Sequence, residues 1–343
     1  MTLSPAPASS SPADAFLARH GYEAATRLPL PQDAGHRRYT RLIGGPRPAL
    51  LMDCAEAGRV GLTPAQDILP FIGLAQHISG AGLSAPLILA EDVPNGLLLV
   101  EDFGADTHAT LLDAGADPLP LYLEAAETLA ALHRTPAPAG LPLWEAERMA
   151  ATAADTFLGW WWPAAFGAAP PEGIRAEFQA AMHAMLAPFA GAGGFVHRDY
   201  FPANLIRLSE RVGPRRTGIL DFQDAALGHP AYDLVSLLED ARRDVDPAVR
   251  QAALDRYLAL RPELDAEEFH AALAAMAAQR HLRVAALWVR LARRDGKPAY
   301  LAHGPRCWAL LERALLHPAT APLAAFLDRH VPAAQRRNPD GLS

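Results

Sequence analysis

The sequence predicts an α+β protein with two lobes: a small N-terminal lobe built on an antiparallel sheet, and a larger C-terminal lobe that is mainly helical. Short apolar segments separated by glycine turns, which are typical of strands, fill most of the first third of the chain. Beyond residue 103, long segments repeat apolar residues at helical spacing. One insert, residues 193–228, returns to short strand-like pieces around a polar loop. A run of strands followed by a run of helices is the order expected of an α+β fold.

Glycine and cap residues delimit the predicted elements of the N-terminal lobe. A short helix near 14–22 has Gly21 as its stop, and Gly44-Gly45 separates two strands. A second helix begins at Thr63 or Pro64 and runs to about residue 79. The predicted strands of this lobe are 25–30, 38–43, 48–53, 85–90 and 97–101.

The remainder of the chain is predicted to be helical apart from the insert. Helices are expected over 120–134, 143–162 and 171–190, and again between 232 and 329. The domain organisation that follows is a disordered tail over 1–13, an N-terminal lobe over 14–103, a C-terminal lobe over 104–330 and a tail over 331–343. A hinge is expected near Phe103.

Charge and composition exclude several classes of function. The chain has 31 basic and 38 acidic side chains and a net charge of −7, whereas a general nucleic-acid binder presents a basic surface. No run of about 18 apolar residues predicts a membrane span, and the N-terminus lacks the features of a signal peptide. Cys54 and Cys307 form no CxxC pair, which favours a reducing compartment. We expect a cytoplasmic protein without a nucleic-acid, membrane or obligate protein partner.

The insert holds the residues that carry chemistry. Its loop reads HRDYFPAN from His197 to Asn204, and DFQ from Asp221 to Gln223 follows two further strand-like pieces. Phosphoryl transfer needs one carboxylate to accept the proton of the attacking hydroxyl. It also needs an amide oxygen and a second carboxylate to hold the Mg²⁺ that bridges the nucleotide phosphates. Single Asp and Asn residues also cap turns, but the full spacing matches the kinase template H-R-D-x-x-x-x-N followed by D-F-G. The set therefore predicts phosphoryl transfer with ATP and Mg²⁺.

The segments HRDYFPAN and ILDFQDAALGHPAYDL resemble the aminoglycoside phosphotransferase and choline kinase superfamily, which has a protein-kinase-like fold. Three further segments, DAGHRRYTRL, GLLLVEDFG and QRHLRVAALWVRLARRDGKPAYL, are similar to one bacterial branch of it. That branch consists of anomeric sugar kinases, which phosphorylate the C1 hydroxyl of N-acetylmuramate and N-acetylglucosamine in cell-wall recycling. The resemblance covers about residues 14–330.

This resemblance implies roles for individual residues. Asp199 is expected to be the catalytic base, with Asn204 and Asp221 as metal ligands. Asp233, in the segment AYDL, is expected to brace the catalytic loop. ATP is expected between the lobes, where it would meet the backbone of a linker consisting of Glu101, Asp102 and Phe103.

The chain departs from the kinase template at the lysine that contacts the α- and β-phosphates. Lys297 is the only lysine of the chain, and Met52 stands near the expected place on the third strand. Arg37 and Arg38, in the turn between the first strands, could neutralise the phosphates instead, because a guanidinium binds phosphate in bidentate fashion. Ordinary solvated charges of a hairpin are the alternative interpretation. Asp67 is a weak candidate for the acidic partner on the following helix.

The candidate sugar contacts are aromatic, acidic and basic. Trp160 and Trp161 lie where the superfamily has substrate-facing helices, although large aromatics also fill cores. Asp224, next to the DFQ segment, is a further candidate. Arg283 shares one helical face with Arg290 and Arg294, and such a face is either solvated or favours an anionic substrate.

The expected function is ATP-dependent phosphorylation of the anomeric hydroxyl of N-acetylmuramate or N-acetylglucosamine. One alternative is a kinase for another small-molecule hydroxyl, of the aminoglycoside, choline or homoserine type. A second alternative, motivated by the missing lysine, is a nucleotide-binding regulator without turnover.

Overall fold

The structure is a computed structural model that describes residues 11–31, 37–191 and 193–342. The chain divides into two compact units. The first comprises the chain up to Ala105 together with Gly218–Gln223, and the second comprises Asp106–Thr217 and the chain from Asp224 onwards. The return of Gly218–Gln223 to the first unit was not predicted. The α+β class is confirmed, because the first unit contains an antiparallel sheet and the second is mainly helical.

The sheet of the first unit has five strands in the order β1-β2-β3-β5-β4, and every neighbouring pair is antiparallel. One face packs on helix α1, where Phe16 and Leu17 join Leu51 and Leu99 in a buried cluster. A capping box of Thr63 and Gln66 begins helix α2. The elements of this unit are α1 (Pro12–Arg19), β1 (Thr26–Pro29), β2 (Arg38–Ile43), β3 (Ala49–Asp53), α2 (Pro64–Gly80), β4 (Ile88–Asp92) and β5 (Leu97–Glu101).

The second unit consists of helices around a small sheet in the order β6-β10-β7. Helix α5 continues through a π-helical turn at Phe157–Trp161 into α6. The helices are α3 (His108–Asp113), α4 (Pro118–Arg134), α5 (Ala146–Thr156), α6 (Trp162–Phe166), α7 (Glu172–Leu186), α8 (Ala231–Leu238), α9 (Pro247–Ala259), α10 (Ala266–Asp295), α11 (Gly304–Ala314) and α12 (Ala321–His330). The short strands are β6 (Leu143–Trp144), β7 (Gly194–Val196), β8 (Leu205–Arg207), β9 (Thr217–Ile219) and β10 (Ala226–Gly228).

The small sheet carries the loop that was predicted to be catalytic. Strand β10 pairs in parallel with β6 and antiparallel with β7, and the loop follows β7 directly. Gly228 is required for this close pairing, because a Cβ atom there would lie 2.9 Å from the carbonyl oxygen of Trp144. The sheet therefore fixes the start of the loop. Over the described ranges, no helix combines the length and the apolar character needed to cross a bilayer.

Two predicted boundaries differ from the observed elements, and one predicted turn lies partly outside the described residues. The tail predicted over 1–13 lies largely outside the described residues, and α1 begins inside it at Pro12. The helix predicted over 143–162 begins as strand β6, because Leu143 and Trp144 pair with β10. In the predicted phosphate-binding turn, Gly35 and His36 lie outside the described residues.

Candidate active site

The backbone of the catalytic loop is held by Asp233, at the start of α8. Its buried carboxylate accepts hydrogen bonds from the backbone N–H groups of His197, at 2.6 Å, and Arg198, at 2.7 Å. The same carboxylate lies 3.1 Å from the imidazole of His133. Hydrogen bonds to an ionised acceptor are about twice as strong as neutral ones. Asp233 thus fixes the two residues that precede Asp199.

Arg198 adopts a backbone conformation that is unfavourable for a residue with a side chain. Its φ is 74°, in the left-handed region. The carbonyl oxygen of Arg198 accepts from Arg280 Nη1 at 3.0 Å and from the hydroxyl of Ser236 at 3.3 Å. The guanidinium of Arg198 lies over the ring of Trp144, 4.1 Å from the centroid, and donates to the carbonyl of Asp224. These contacts on both sides of the residue hold it in a strained conformation that aims Asp199.

Asp199 presents a partly exposed carboxylate next to two arginines. Its side chain is 39% exposed, and Oδ1 lies 3.7 Å from Nη2 of Arg280, which is beyond hydrogen-bond distance. Burial alone would raise the pKa of Asp199, but the positive charges of Arg280 and Arg283 outweigh it and hold that pKa below its usual range. The carboxylate is therefore ionised and keeps lone pairs for a hydroxyl proton.

Asn204 is oriented by the same loop. Its side-chain N–H donates to the carbonyl oxygen of Asp199 at 2.9 Å, and its backbone N–H donates to the carbonyl of Phe201. Because the amide nitrogen is engaged with the backbone, the amide oxygen is the atom that can face a cation.

Asp221 belongs to the first unit, where it follows β9. It has a φ of 60°, again in the left-handed region. Phe222 packs on Phe71 of α2 with ring centroids 4.9 Å apart, which anchors the segment. The side chain of Gln223, where protein kinases have glycine, donates to Asp221 Oδ1 at 2.6 Å. The substitution therefore orients the carboxylate rather than disrupting the segment.

The side chains of Asn204 and Asp221, one in each unit, are each of a type that binds magnesium. Asn204 and Asp221 offer an amide and a carboxylate oxygen, and Mg²⁺ is commonly held by one or two such protein ligands while phosphates and water complete its shell. Within the described ranges, no group of three or more His, Cys, Asp or Glu side chains could hold a metal ion by itself.

The two candidate phosphate-binding arginines have different environments. Arg37 forms a bidentate pair with Oδ1 of Asp67 on α2, with Nη2 at 2.6 Å and Nε at 3.1 Å. The exposed fractions of these side chains are 15% for Arg37 and 1% for Asp67. Burial lowers the pKa of Arg37, and the hydrogen bond to Asp67 more than offsets this and raises it. The pair reproduces, with the cation on another element, the cation–carboxylate pair of the kinase template.

Arg38, in contrast, belongs to the surface. Its side chain is 58% exposed and pairs with Glu56. The prediction that Arg38 binds the cofactor is not supported by this placement, because a solvated ion pair with a neighbouring loop is sufficient to explain it. Arg37 directly precedes strand β2 and Arg38 is the first residue of that strand, so the two arginines differ in local backbone structure.

The predicted linker is braced by a residue that was not singled out from the sequence. Arg41 on β2 binds the carboxylate of Asp102 with two hydrogen bonds, of 2.5 and 2.9 Å, and also donates to the carbonyl of Gly104. The side chain of Asp102 therefore has a structural role. The backbone N–H groups of Glu101 and Asp102 donate to the carbonyls of Leu87 and Pro48. The contact of the linker backbone with a nucleotide stays a prediction.

The candidate sugar contacts also differ from one another in how far they are buried. Trp161 is fully buried, stacks on Phe157 at 4.9 Å and donates from its indole N–H to the carbonyl of Arg337. Its prediction as a substrate contact is wrong for this structure, because no part of the ring reaches the surface. Trp160, its neighbour in the π-helical turn, is half-buried. Asp224 is exposed next to Arg198, and Arg283 is half-buried on α10.

Two residues near the base were missed from the sequence. Arg280 and Tyr232 are both buried, and Arg280 Nη1 lies 3.3 Å from the phenol oxygen of Tyr232. Tyr232 directly precedes Asp233, and Arg280 lies three positions before Arg283 on the same helix face. Their positions next to the predicted residues Asp233 and Arg283 were the signal by which the sequence could have identified them.

The fold and the loop define a phosphotransferase. The profile of the phosphotransferase enzyme family matches residues 26–270, and the chain belongs to this family of aminoglycoside-phosphotransferase-like proteins. An N-acetylmuramate/N-acetylglucosamine kinase of Caulobacter vibrioides is 39% identical, over 94% of this chain and 97% of its own. A kinase of the same description from Pseudomonas aeruginosa is 34% identical, over 84% of this chain and 83% of its own.

A solved structure supports the fold at a greater distance. An aminoglycoside phosphotransferase in a ternary complex with ADP and hygromycin B has a TM-score of 0.58 and 14% identity, and the match covers 89% of this chain and 99% of that one. The predicted protein-kinase-like fold and the predicted family are thereby confirmed.

Proposed function

We propose that this protein transfers the γ-phosphate of ATP to the anomeric hydroxyl of an N-acetylated amino sugar and so forms the sugar 1-phosphate. The observation that carries the proposal is the ordered catalytic loop, with Asp199 ionised at its tip, in a chain that is similar over nearly its whole length to N-acetylmuramate/N-acetylglucosamine kinases. The sugars would come from cell-wall recycling, in the cytoplasm.

Asp199 would orient the acceptor hydroxyl and accept its proton. An anomeric hydroxyl is more acidic than the other hydroxyls of a sugar, so a carboxylate of low basicity is sufficient as its base. The strained Arg198 and the carboxylate of Asp233 hold Asp199 in place before substrate arrives. Such preorganisation avoids rearrangement at the moment of reaction.

The nucleotide would be handled by residues that are already in place. Mg²⁺, when bound through Asn204 and Asp221, would supply the positive charge that neutralises the phosphates. Arg37, fixed by Asp67, would provide the further cation that the lysine supplies in the kinase template. The backbone of Glu101, Asp102 and Phe103 would contact the adenine.

Arg37→Ala is expected to raise the KM for ATP by about 10- to 100-fold, because one charge-assisted contact to a phosphate is lost. The KM for the sugar should change much less. Steady-state kinetics with each substrate varied in turn measure both values, and Arg38→Ala, at the neighbouring position, is the matched control. Equal KM values for ATP in the two variants would show that Arg37 does not bind the nucleotide and only forms a structural ion pair with Asp67.

The product decides between the candidate functions. We expect Mg-ATP and N-acetylglucosamine or N-acetylmuramate to yield a 1-phosphate, which phosphorus NMR identifies through coupling to the anomeric proton. Methyl glycosides, which are blocked at C1, should not react. Phosphorylation of a methyl glycoside at the rate of the free sugar would refute the anomeric assignment.

A panel containing an aminoglycoside, choline and homoserine tests the other kinases. Activity restricted to one of these acceptors would replace the sugar proposal. ATP binding without consumption over the whole panel would support a regulator without turnover.

A further inference from the structure

A row of arginines extends from the catalytic base along helix α10. Arg280 Nη2 lies 3.7 Å from Asp199, and Arg280 Nη1 lies 3.3 Å from the phenol oxygen of Tyr232. Nη2 of Arg283 lies at the same distance from that phenol oxygen. Tyr232 therefore links the guanidiniums of Arg280 and Arg283. Arg280 faces Asp199 directly, and Arg283 follows it on the other end of this link. Arg290 follows seven residues later on the same face.

Arg283 and Arg290 have no carboxylate partner, although both are half-buried. Among the described residues, no Asp or Glu lies within ion-pair distance of either guanidinium, and the Nε–H group of each is buried without a hydrogen-bond acceptor. Two other half-buried arginines do have carboxylate partners: Arg37 pairs with Asp67, and Arg250 pairs with Glu239. Burying a polar group without a partner costs free energy. Two neighbouring guanidiniums in this state indicate a surface that is completed by an anion.

The charges around this pair are mainly positive. Burial and the charges of Arg294 and Arg283 lower the pKa of Arg290. Burial would raise the pKa of the Tyr232 phenol, but Arg283 and Arg280 outweigh it and lower that pKa. The acidic groups that act on Arg290 are the exposed side chain of Asp155, at the end of α5, and Asp295, which is already bound by Arg294. The local field therefore attracts a negative group.

The element packed against this part of α10 is irregular. The π-helical turn Phe157–Trp161 packs on α10 and interrupts the regular helix directly after Thr156. Such turns are rare and occur frequently at functional sites. Because Asp155, two residues before this turn, acts electrostatically on Arg290, the turn begins in the neighbourhood of that arginine.

We propose that Arg283 and Arg290 form a subsite for a carboxylate substituent of the acceptor sugar, and that this subsite distinguishes an acidic amino sugar from a neutral one. The inference rests on the proposed function. Arg280 is excluded from the subsite because its guanidinium donates to the carbonyl of Arg198 and faces the carboxylate of Asp199.

The position of the subsite fits a carboxylate that is carried on the sugar ring. With the C1 hydroxyl at Asp199, the opposite part of the ring is directed away from the base by about one ring width. Arg283 is connected to Asp199 through Tyr232 and Arg280, and its charge acts on the Asp199 carboxylate, so it lies near the reacting atoms. An ether-linked carboxylate on carbon 3, as in N-acetylmuramate, would extend towards a guanidinium at this range. Arginine suits this partner because its planar fork matches a carboxylate.

The test compares kcat/KM for N-acetylmuramate and N-acetylglucosamine in the purified protein. We expect Arg283→Ala and Arg290→Ala to lower the ratio of the two values by about 10- to 100-fold, the loss expected for a hydrogen bond to a charged group. Arg283→Lys, which keeps the charge but not the fork, should restore part of the ratio. Arg293→Ala is the matched control, since it removes an exposed arginine from the same helix.

A second measurement needs no variant. In the unaltered protein, the carboxamide of N-acetylmuramate should be used less well than the acid by a similar factor. Equal use of acid and amide, or an equal loss for both sugars in the variants, would overturn the carboxylate subsite while leaving the kinase function intact. Failure of the proposed function has a different signature, because neither sugar would then be phosphorylated by the unaltered protein.

Discussion

Asp199→Asn is expected to lower kcat by about two to four orders of magnitude, the contribution of a general base. The substitution keeps the size of the side chain and removes its ability to accept a proton. Asp199 lies in a loop whose backbone is held by Asp233 and Arg280, neither of which is altered. ATP affinity should therefore remain near that of the unaltered protein. Rapid-quench measurement of product, together with calorimetric titration of nucleotide, gives both quantities.

The control for this variant is Asp244→Asn, the same substitution at a side chain that is 85% exposed. It should leave kcat unchanged, because a surface ion pair contributes little. An Asp199→Asn protein that retains a tenth or more of the original kcat would rule out Asp199 as the base. A parallel loss of nucleotide affinity would instead indicate that the loop had rearranged.

Asp233→Asn is expected to reduce the free energy of unfolding by about 3–5 kcal/mol, the usual cost of removing one partner from a buried charged network. The carboxylate accepts from two backbone N–H groups and contacts His133, and its exposed fraction is 0%. An amide of the same shape would present N–H groups to one of these donors. The strained backbone of Arg198 would lose a support, so kcat should fall as well.

Urea denaturation followed by circular dichroism measures the change in stability. Asp265→Asn serves as the control, because Asp265 caps α10 by accepting from the N–H of Glu268 and Asn caps helices equally well. A midpoint for Asp233→Asn that matches this control would show that the catalytic loop does not depend on the buried carboxylate.

Local sequence was sufficient for most of the secondary structure. The start at Thr63 or Pro64 and the apolar spacing after it predicted α2, which runs from Pro64 to Gly80. Strand β4 was predicted three residues early, because Pro86 and its neighbours have the apolar composition of a strand but proline cannot donate to the ladder. Strand β6 was missed entirely. Two residues show no periodicity, and their pairing partner in β10 lies more than 80 positions away in the chain.

Adjacent residues of the same type differ in burial, and the sequence did not predict which of the two is buried. Arg37 and Arg38 are the same type of residue, yet Arg37 is shielded against Asp67 and Arg38 is solvated. Trp160 and Trp161 differ in the same manner, since only Trp161 is enclosed by Phe157 and Trp308. Which of two adjacent side chains faces a neighbour depends on the path of the backbone, which composition does not encode.

By itself, the sequence determined the class of chemistry to expect: a candidate base, an amide and a second carboxylate stand at the spacing of a phosphoryl-transfer loop. That spacing can be read directly because His197 to Asn204 is one short segment, in which the chemistry requires particular side chains at fixed positions. Tertiary structure alone decided the electrostatic surroundings of the base. Arg280 lies 81 positions from Asp199 in the chain, and only the packing of α10 brings its guanidinium to 3.7 Å from that carboxylate. Coulomb energy depends on distance in space and on solvent exposure, and neither is fixed until the helices are packed.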